Sequence, residues 1–155
     1  ALNISEKLLK QYGAFVSLHK KGKLRGCIGK FTSNMPVYNL VSELAISSAT
    51  NDSRFNPVEE KELNDIDIEI SILTPLKKIN SPDEIVLGKH GIYIELDNKS
   101  GTFLPQVATQ TGWSKEEFLG YCSRDKAEIG WNGWQKANLY TYEAFVFSEH
   151  DFLKQ

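Results

Sequence analysis

The chain has 155 residues, a net charge of -2, and hydrophobic and charged fractions of 41% and 25%. That is the size and balance of one folded domain able to bury its own core, and it excludes an intrinsically disordered chain. No apolar run approaches the length of a membrane span and no basic-then-apolar leader is present, while a charge so near neutrality neither demands nor excludes an anionic partner.

In chain order, Phe15, Val16 and Leu18, the polar turn Lys20-Lys21-Gly22-Lys23, and Leu24 to Ile28 read as a β-hairpin. Ser33 or Asn34 is expected to cap a helix with Pro36 in its first turn. Its buried stripe would be Val37, Leu40, Val41, Leu44 and Ala45, which recur at helical spacing. Asn51 to Pro57 reads as a loop. Ile66, Ile68, Ile70 and Ile72 then alternate with Asp65, Asp67, Glu69 and Ser71, the pattern of a strand with one core face and one wet face.

The second half repeats the plan. Ile92, Ile94 and Leu96 predict a strand, Asp97 to Gly101 a turn, and Phe103 the start of a return strand. Pro105 opens a short helix that Gly112 ends. Ser114 and Glu117 form a capping box for the next helix, with Trp113 and Phe118 as its staple. Asn132-Gly133 is a tight-turn signal, and Ala137 to Phe147 reads as one long, central closing strand. Strand, glycine turn, strand and helix thus occur twice in the same order, which predicts a duplicated unit within a single α+β domain.

The stretch with the most chemistry is Leu24-Arg25-Gly26-Cys27-Ile28-Gly29. Glycine weakens a strand unless the backbone must bend or something must come close. Two glycines beside a thiol and a guanidinium therefore point to a thiol or anion site with open backbone. A bulged strand with a small buried cysteine and an ion-paired Arg25 is the alternative. Asp52 and Arg54 share the loop after the first helix; either they tie that loop together, or Arg54 grips a carboxylate or phosphate, which its planar fork suits. His90 precedes a strand and is a candidate base. No two of His19, His90 and His150 stand at metal-ligand spacing, so no metal site is expected. The two cysteines, Cys27 and Cys122, form no CxxC pair and are too few for a disulfide scaffold. They read as free thiols of a cytoplasmic protein. Lysines from Lys20 to Lys30, and a GxxG at Gly26–Gly29, raise nucleic-acid binding. The strand context and the lack of an aromatic-interleaved basic surface weigh against it.

Leu24-Arg25-Gly26-Cys27-Ile28-Gly29 resembles the signature of the AMMECR domain family, also called AmmeMemoRadiSam system protein A. Gly13-Ala14-Phe15-Val16, Asp52 with Arg54-Phe55, Ile70-Ser71-Ile72-Leu73-Thr74, Gly88 with His90-Gly91-Ile92, and Leu104-Pro105-Gln106-Val107-Ala108 stand in the family's order. The resemblance implies two β-α-β-β repeats, roughly 13–75 and 84–147, with antiparallel or mixed sheet in a two-lobed single domain spanning 1–155. It also implies a cleft near the signature, and an association with Memo-like and radical SAM proteins. It implies no particular reaction and no cofactor.

Three functions follow as expectations. The first is an enzyme or enzyme component using Cys27, with His90 as base and Arg25, Gly26, Gly29, Asp52 and Arg54 around a small or anionic ligand. The second is a binding or adaptor module for a protein or nucleotide that uses the same residues without chemistry. The third is a nucleic-acid-binding domain.

Overall fold

The computed structural model describes residues 4–153. The chain divides into two compact units, one of residues 1–75 with 145–155 and the other of residues 76–144.

In the first unit a short helix α1 (Ile4–Leu9) leads into the hairpin of β1 (Tyr12–Lys20) and β2 (Lys23–Thr32). Helix α2 (Val37–Thr50) and strand β3 (Ile66–Leu73) follow. The sheet order is β2-β1-β3-β8, where β8 (Ala144–Ser148) is the returning edge strand and α5 (Glu149–Leu153) follows it. Ala14, Val16 and Leu18 of β1 lie opposite Ile72, Ile70 and Ile68 of β3. This apolar face packs against Leu40 and Leu44 of α2, as the two patterns predict.

The helix starts differently from the expectation. Pro36 itself is the N-cap residue, without a side-chain cap. The Ser33 hydroxyl instead accepts the Met35 N–H at 3.1 Å, closing a turn before the helix begins. At the other end, Ser48 is 2% exposed. Its hydroxyl donates to the Val16 carbonyl at 2.9 Å and accepts the Ile28 N–H at 3.0 Å. Val16 and Ile28 face each other across the hairpin, so one buried hydroxyl fastens the last turn of α2 to both strands.

The second unit contains β4 (Lys77–Ile79), β5 (Gly91–Leu96), β6 (Lys99–Phe103), α3 (Pro105–Thr111), α4 (Lys115–Tyr121) and β7 (Asn138–Tyr142), with sheet order β4-β7-β5-β6. Gly112 ends α3 in the left-handed conformation, and Ser114 with Glu117 caps α4 as a capping box. Ile92, Ile94, Phe118, Leu119 and Cys122 form its core.

In both units a hairpin is followed by helix and then by a strand that pairs antiparallel with the hairpin's first strand. Each repeat thus runs strand, strand, helix, strand, the order in which the sequence itself repeats, with the helix after the hairpin rather than after its first strand as the β-α-β-β expectation had it.

Two local expectations are corrected. Ala137 to Phe147 is two strands, not one: β7 lies centrally in the second sheet, while β8 is the edge of the first, with Phe145 and Val146 exposed. The turn after β5 comprises only Asp97 and Asn98, because Gly101 pairs with Ile94 inside β6, where a Cβ would strike the Ala127 backbone. The tight turn expected at Asn132-Gly133 is present, closed by the Gly133 N–H to the Gly130 carbonyl at 3.2 Å, and leads into a short 3-10 helix, Gly133–Gln135. Among the described residues no helix is long and apolar enough to cross a membrane.

Candidate functional site

Cys27 lies on β2, an outer strand of the first sheet, opposite Ser17 of β1. An edge strand presents unpaired backbone groups that proteins ordinarily cover. Here the loop after α2 covers them. The Asp52 carboxylate accepts the Cys27 N–H at 2.9 Å, and Arg54 Nη2 donates to the Cys27 carbonyl at 3.3 Å. The two side chains are joined to each other by Arg54 Nη2 to Asp52 Oδ2 at 2.7 Å and Arg54 Nε to Asp52 Oδ1 at 3.0 Å. The pair therefore acts as a substitute strand, holding both backbone groups of the cysteine.

The electrostatics follow the geometry. Hydrogen bonds from the Arg54 side chain hold the Asp52 carboxyl well below the ordinary carboxylate range. Burial opposes this, and the Cys27 and Arg54 N–H groups add to it. The same pairing raises Arg54. The Asp52 side chain is 6% exposed and that of Arg54 is 53% exposed, so the acid is buried and the guanidinium reaches outward. Among the described residues, Arg54 Nη1 has no protein partner; the guanidinium also lies 5.3 Å from the centre of the Phe55 ring.

Arg25 is placed otherwise. It donates from Nε to Glu62 Oε1 at 3.1 Å, from Nη2 to Glu62 Oε2 at 3.1 Å, and from Nη1 and Nη2 to the carbonyls of Asn56 and Pro57 at 2.7 and 3.3 Å. Lys20 reaches the same glutamate at 2.9 Å. These cations, Arg25 first, and the Glu59 N–H hold Glu62 down at about 2. The structure thus has Arg25 tying residues 56–62 to the hairpin, and its guanidinium is engaged within the protein, where the sequence suggested a ligand.

Gly26 and Gly29 do permit a close approach, but by the chain itself. A Cβ on Gly26 would run into the Ser48 carbonyl, and one on Gly29 into the Phe15 ring. The backbone expected to be open beside the thiol is closed on that side by α2 and β1.

The thiols differ. Cys27 is half-buried, and its Sγ lies 3.1 Å from Ser17 Oγ. Cys122 is wholly buried, and burial pushes its thiol up to about 12, against the pull of Lys126. Neither is in a disulfide.

His90 belongs to the second unit. Its Nδ1 accepts the Val86 N–H at 3.0 Å, which places the hydrogen of the neutral ring on Nε2. Burial lowers its pKa, with Glu143 opposing and Lys89 and Lys77 assisting. Arg25, Gly26, Cys27, Gly29, Asp52 and Arg54 are gathered by the first unit alone.

Sequence reasoning missed Ser17, Ser48 and Glu62. Ser17 was not legible from the turn: pairing about Lys21-Gly22 would set it opposite Gly26, and only a register shift between Leu18 and His19 brings it opposite Cys27. Ser48 and Glu62 carried no local signal, because their partners lie far away in sequence.

The AMMECR1 family model matches residues 2–147. A protein of Methanothermobacter thermautotrophicus is 48% identical over 144 residues, covering 88% of this chain and 75% of the relative. One of Methanopyrus kandleri is 38% identical over 157 residues, covering 95% and 76%. The crystal structure of an uncharacterised protein from Pyrococcus horikoshii has a TM-score of 0.85 at 34% identity, covering 93% of this chain and 76% of that one.

Proposed function

The chain belongs to the AMMECR1 family, and we propose that it is an enzyme or enzyme component whose reactive group is the Cys27 thiol, with Arg54 receiving an anionic group of the substrate. The observation that carries the reading is the division of labour at Cys27. Its backbone N–H and carbonyl are both fixed by Asp52 and Arg54, while its sulfur is left half-buried beside a hydroxyl. A nucleophile has to be held in place and still be reachable. The outward Nη1 of Arg54 suits one oxygen of a carboxylate or phosphate. In this reading Arg25, Gly26 and Gly29 are the frame that fixes β2 against α2 and residues 56–62. His90 has no part in this reading: its Nδ1 accepts the Val86 N–H and its Nε2 carries the hydrogen, so the neutral ring has no free lone pair with which to act as a base.

A binding or adaptor role would use the same clamp without the sulfur, and alkylation separates the two. In the folded protein at pH 7.5, roughly a neutral working pH, iodoacetamide is expected to modify Cys27 at least about tenfold faster than Cys122, since reaction needs an accessible thiolate. Peptide mass spectrometry over a time course measures both rates. A Cys27 no faster than the buried Cys122 removes the nucleophile and leaves the binding role.

A further inference from the structure

The sheet face turned away from α2 bears, in line with Cys27, polar groups that the proposed function has not used. Strand alternation sends Gly26 toward the Ser48 carbonyl of α2 and Cys27 to the opposite face. Ser17 lies opposite Cys27 on one side and opposite Glu69 of β3 on the other. Thiol, hydroxyl and carboxylate thus occupy one line across three strands, with Cβ atoms of directly opposed residues about 5 Å apart.

Within that line the Ser17 hydroxyl stands 3.1 Å from the Cys27 sulfur. Cys27 is its partner in the structure. Resting on the reading of Cys27 as the reactive group, we propose that Ser17 is a positioning residue of the site: its hydroxyl accepts a hydrogen bond from the thiol and, once the proton has left to solvent or a base, turns to donate to the thiolate. No bond to Ser17 is made or broken. Only the direction of the hydrogen bond reverses, which a hydroxyl can do because it is both donor and acceptor. A hydrogen bond donated to the charged form favours that form. Arg54 holds the residue's backbone from the loop side, and Ser17 fixes the direction of the sulfur from the neighbouring strand. A serine facing a cysteine also fits a purely structural cross-strand pair, so the test must read the ionisation of the sulfur.

The rate of Cys27 alkylation by iodoacetamide as a function of pH, followed by peptide mass spectrometry in Ser17→Ala and Ser17→Thr, makes that reading. In Ser17→Ala the midpoint should move to higher pH, by roughly one unit for the loss of one donor to a charged group. The rate at pH 7 would then fall by about tenfold, with the high-pH plateau unchanged. Ser17→Thr should restore the wild-type profile, because it keeps the hydroxyl. Absorbance of the thiolate near 240 nm, titrated in a Cys122→Ser background, reads the same midpoint without a reagent. A Ser17→Ala profile that coincides with wild type, or a lowered melting temperature with an unmoved midpoint, overturns the proposal and leaves a structural pair. A wild-type Cys27 that is no faster than Cys122 would instead defeat the nucleophile itself, so the two failures are distinct. If Ser17→Ala does not fold, the threonine variant decides alone: a midpoint displaced despite the retained hydroxyl, in a folded protein, rejects the assignment.

Discussion

Replacing Asp52 by alanine is expected to destabilise the fold by about 3 kcal/mol, with a lower urea midpoint at unchanged slope. Four hydrogen bonds end on this one carboxylate: the Cys27 N–H, the Arg54 N–H, and Arg54 Nε and Nη2. Its removal exposes the edge of β2 at the cysteine and frees the guanidinium that holds the Cys27 carbonyl. The figure stays moderate because Arg54 is half exposed, and water screens its half of the pair. Asp52→Asn should cost less, since the amide oxygen still accepts one bond, and it removes a pH dependence. The Asp52 carboxyl is depressed in the folded state. Its contribution is therefore fully present above the ordinary aspartate value near 3.8 and is lost as pH falls from there through the depressed folded value. Wild type should lose stability over that acidic window more steeply than Asp52→Asn. Parallel slopes from urea titrations at successive pH values below 4, about the unperturbed aspartate range, would show that the carboxylate is not coupled to folding.

The second large effect is expected at Gly26, where alanine should cost about 3 kcal/mol. The methyl would meet the Ser48 carbonyl, a backbone atom near the end of α2 that cannot rotate away. That helix turn is also pinned by the Ser48 hydroxyl to Val16 and Ile28. Relief would have to move α2 away from β2 and loosen the loop that carries Asp52 and Arg54. Cys27 would then be both more exposed and less fixed, so faster alkylation should accompany the lower stability. Gly22 makes the comparison. It sits in the open hairpin turn at φ +81 with nothing near its Cβ position, so alanine there should cost only about 1 kcal/mol, from backbone strain alone. Equal losses at the two sites in urea unfolding would mean that helix contact is not what Gly26 provides.

Much of this protein is legible in its sequence because the relevant physics is local. Hairpin, helix and strand in the first half follow from apolar spacing. The ends of α3 and α4 follow from Gly112 and from Ser114 with Glu117, whose hydrogen bonds are made within a turn. The resemblance of the 24–29 stretch, with Asp52 and Arg54, identified the family, and those residues do converge at one place. That Cys27 and Cys122 are unpaired also followed from their number and contexts.

Tertiary structure decided what those residues are for. The sequence left Arg25 between ion pair and anion ligand, and Glu62, thirty-seven residues away, engages it. Two glycines in a strand announce a close approach without saying what approaches; here it is the Ser48 carbonyl and the Phe15 ring, fixed by how α2 packs and β1 pairs. The stretch from Ala137 to Phe147 is apolar on both faces in either arrangement. Nothing local says that β7 enters one sheet and β8 the edge of another. The pairing of Ser17 with Cys27 was decided by the fold as well: the register shift between Leu18 and His19 moves Ser17 from Gly26 to Cys27, and the packed sheet brings oxygen and sulfur to 3.1 Å. Periodicity and capping depend on neighbours within a few residues, and the sequence by itself determines them. Which charge, carbonyl or ring meets a given side chain depends on contacts closed across dozens of residues, and these exist only once the chain has folded.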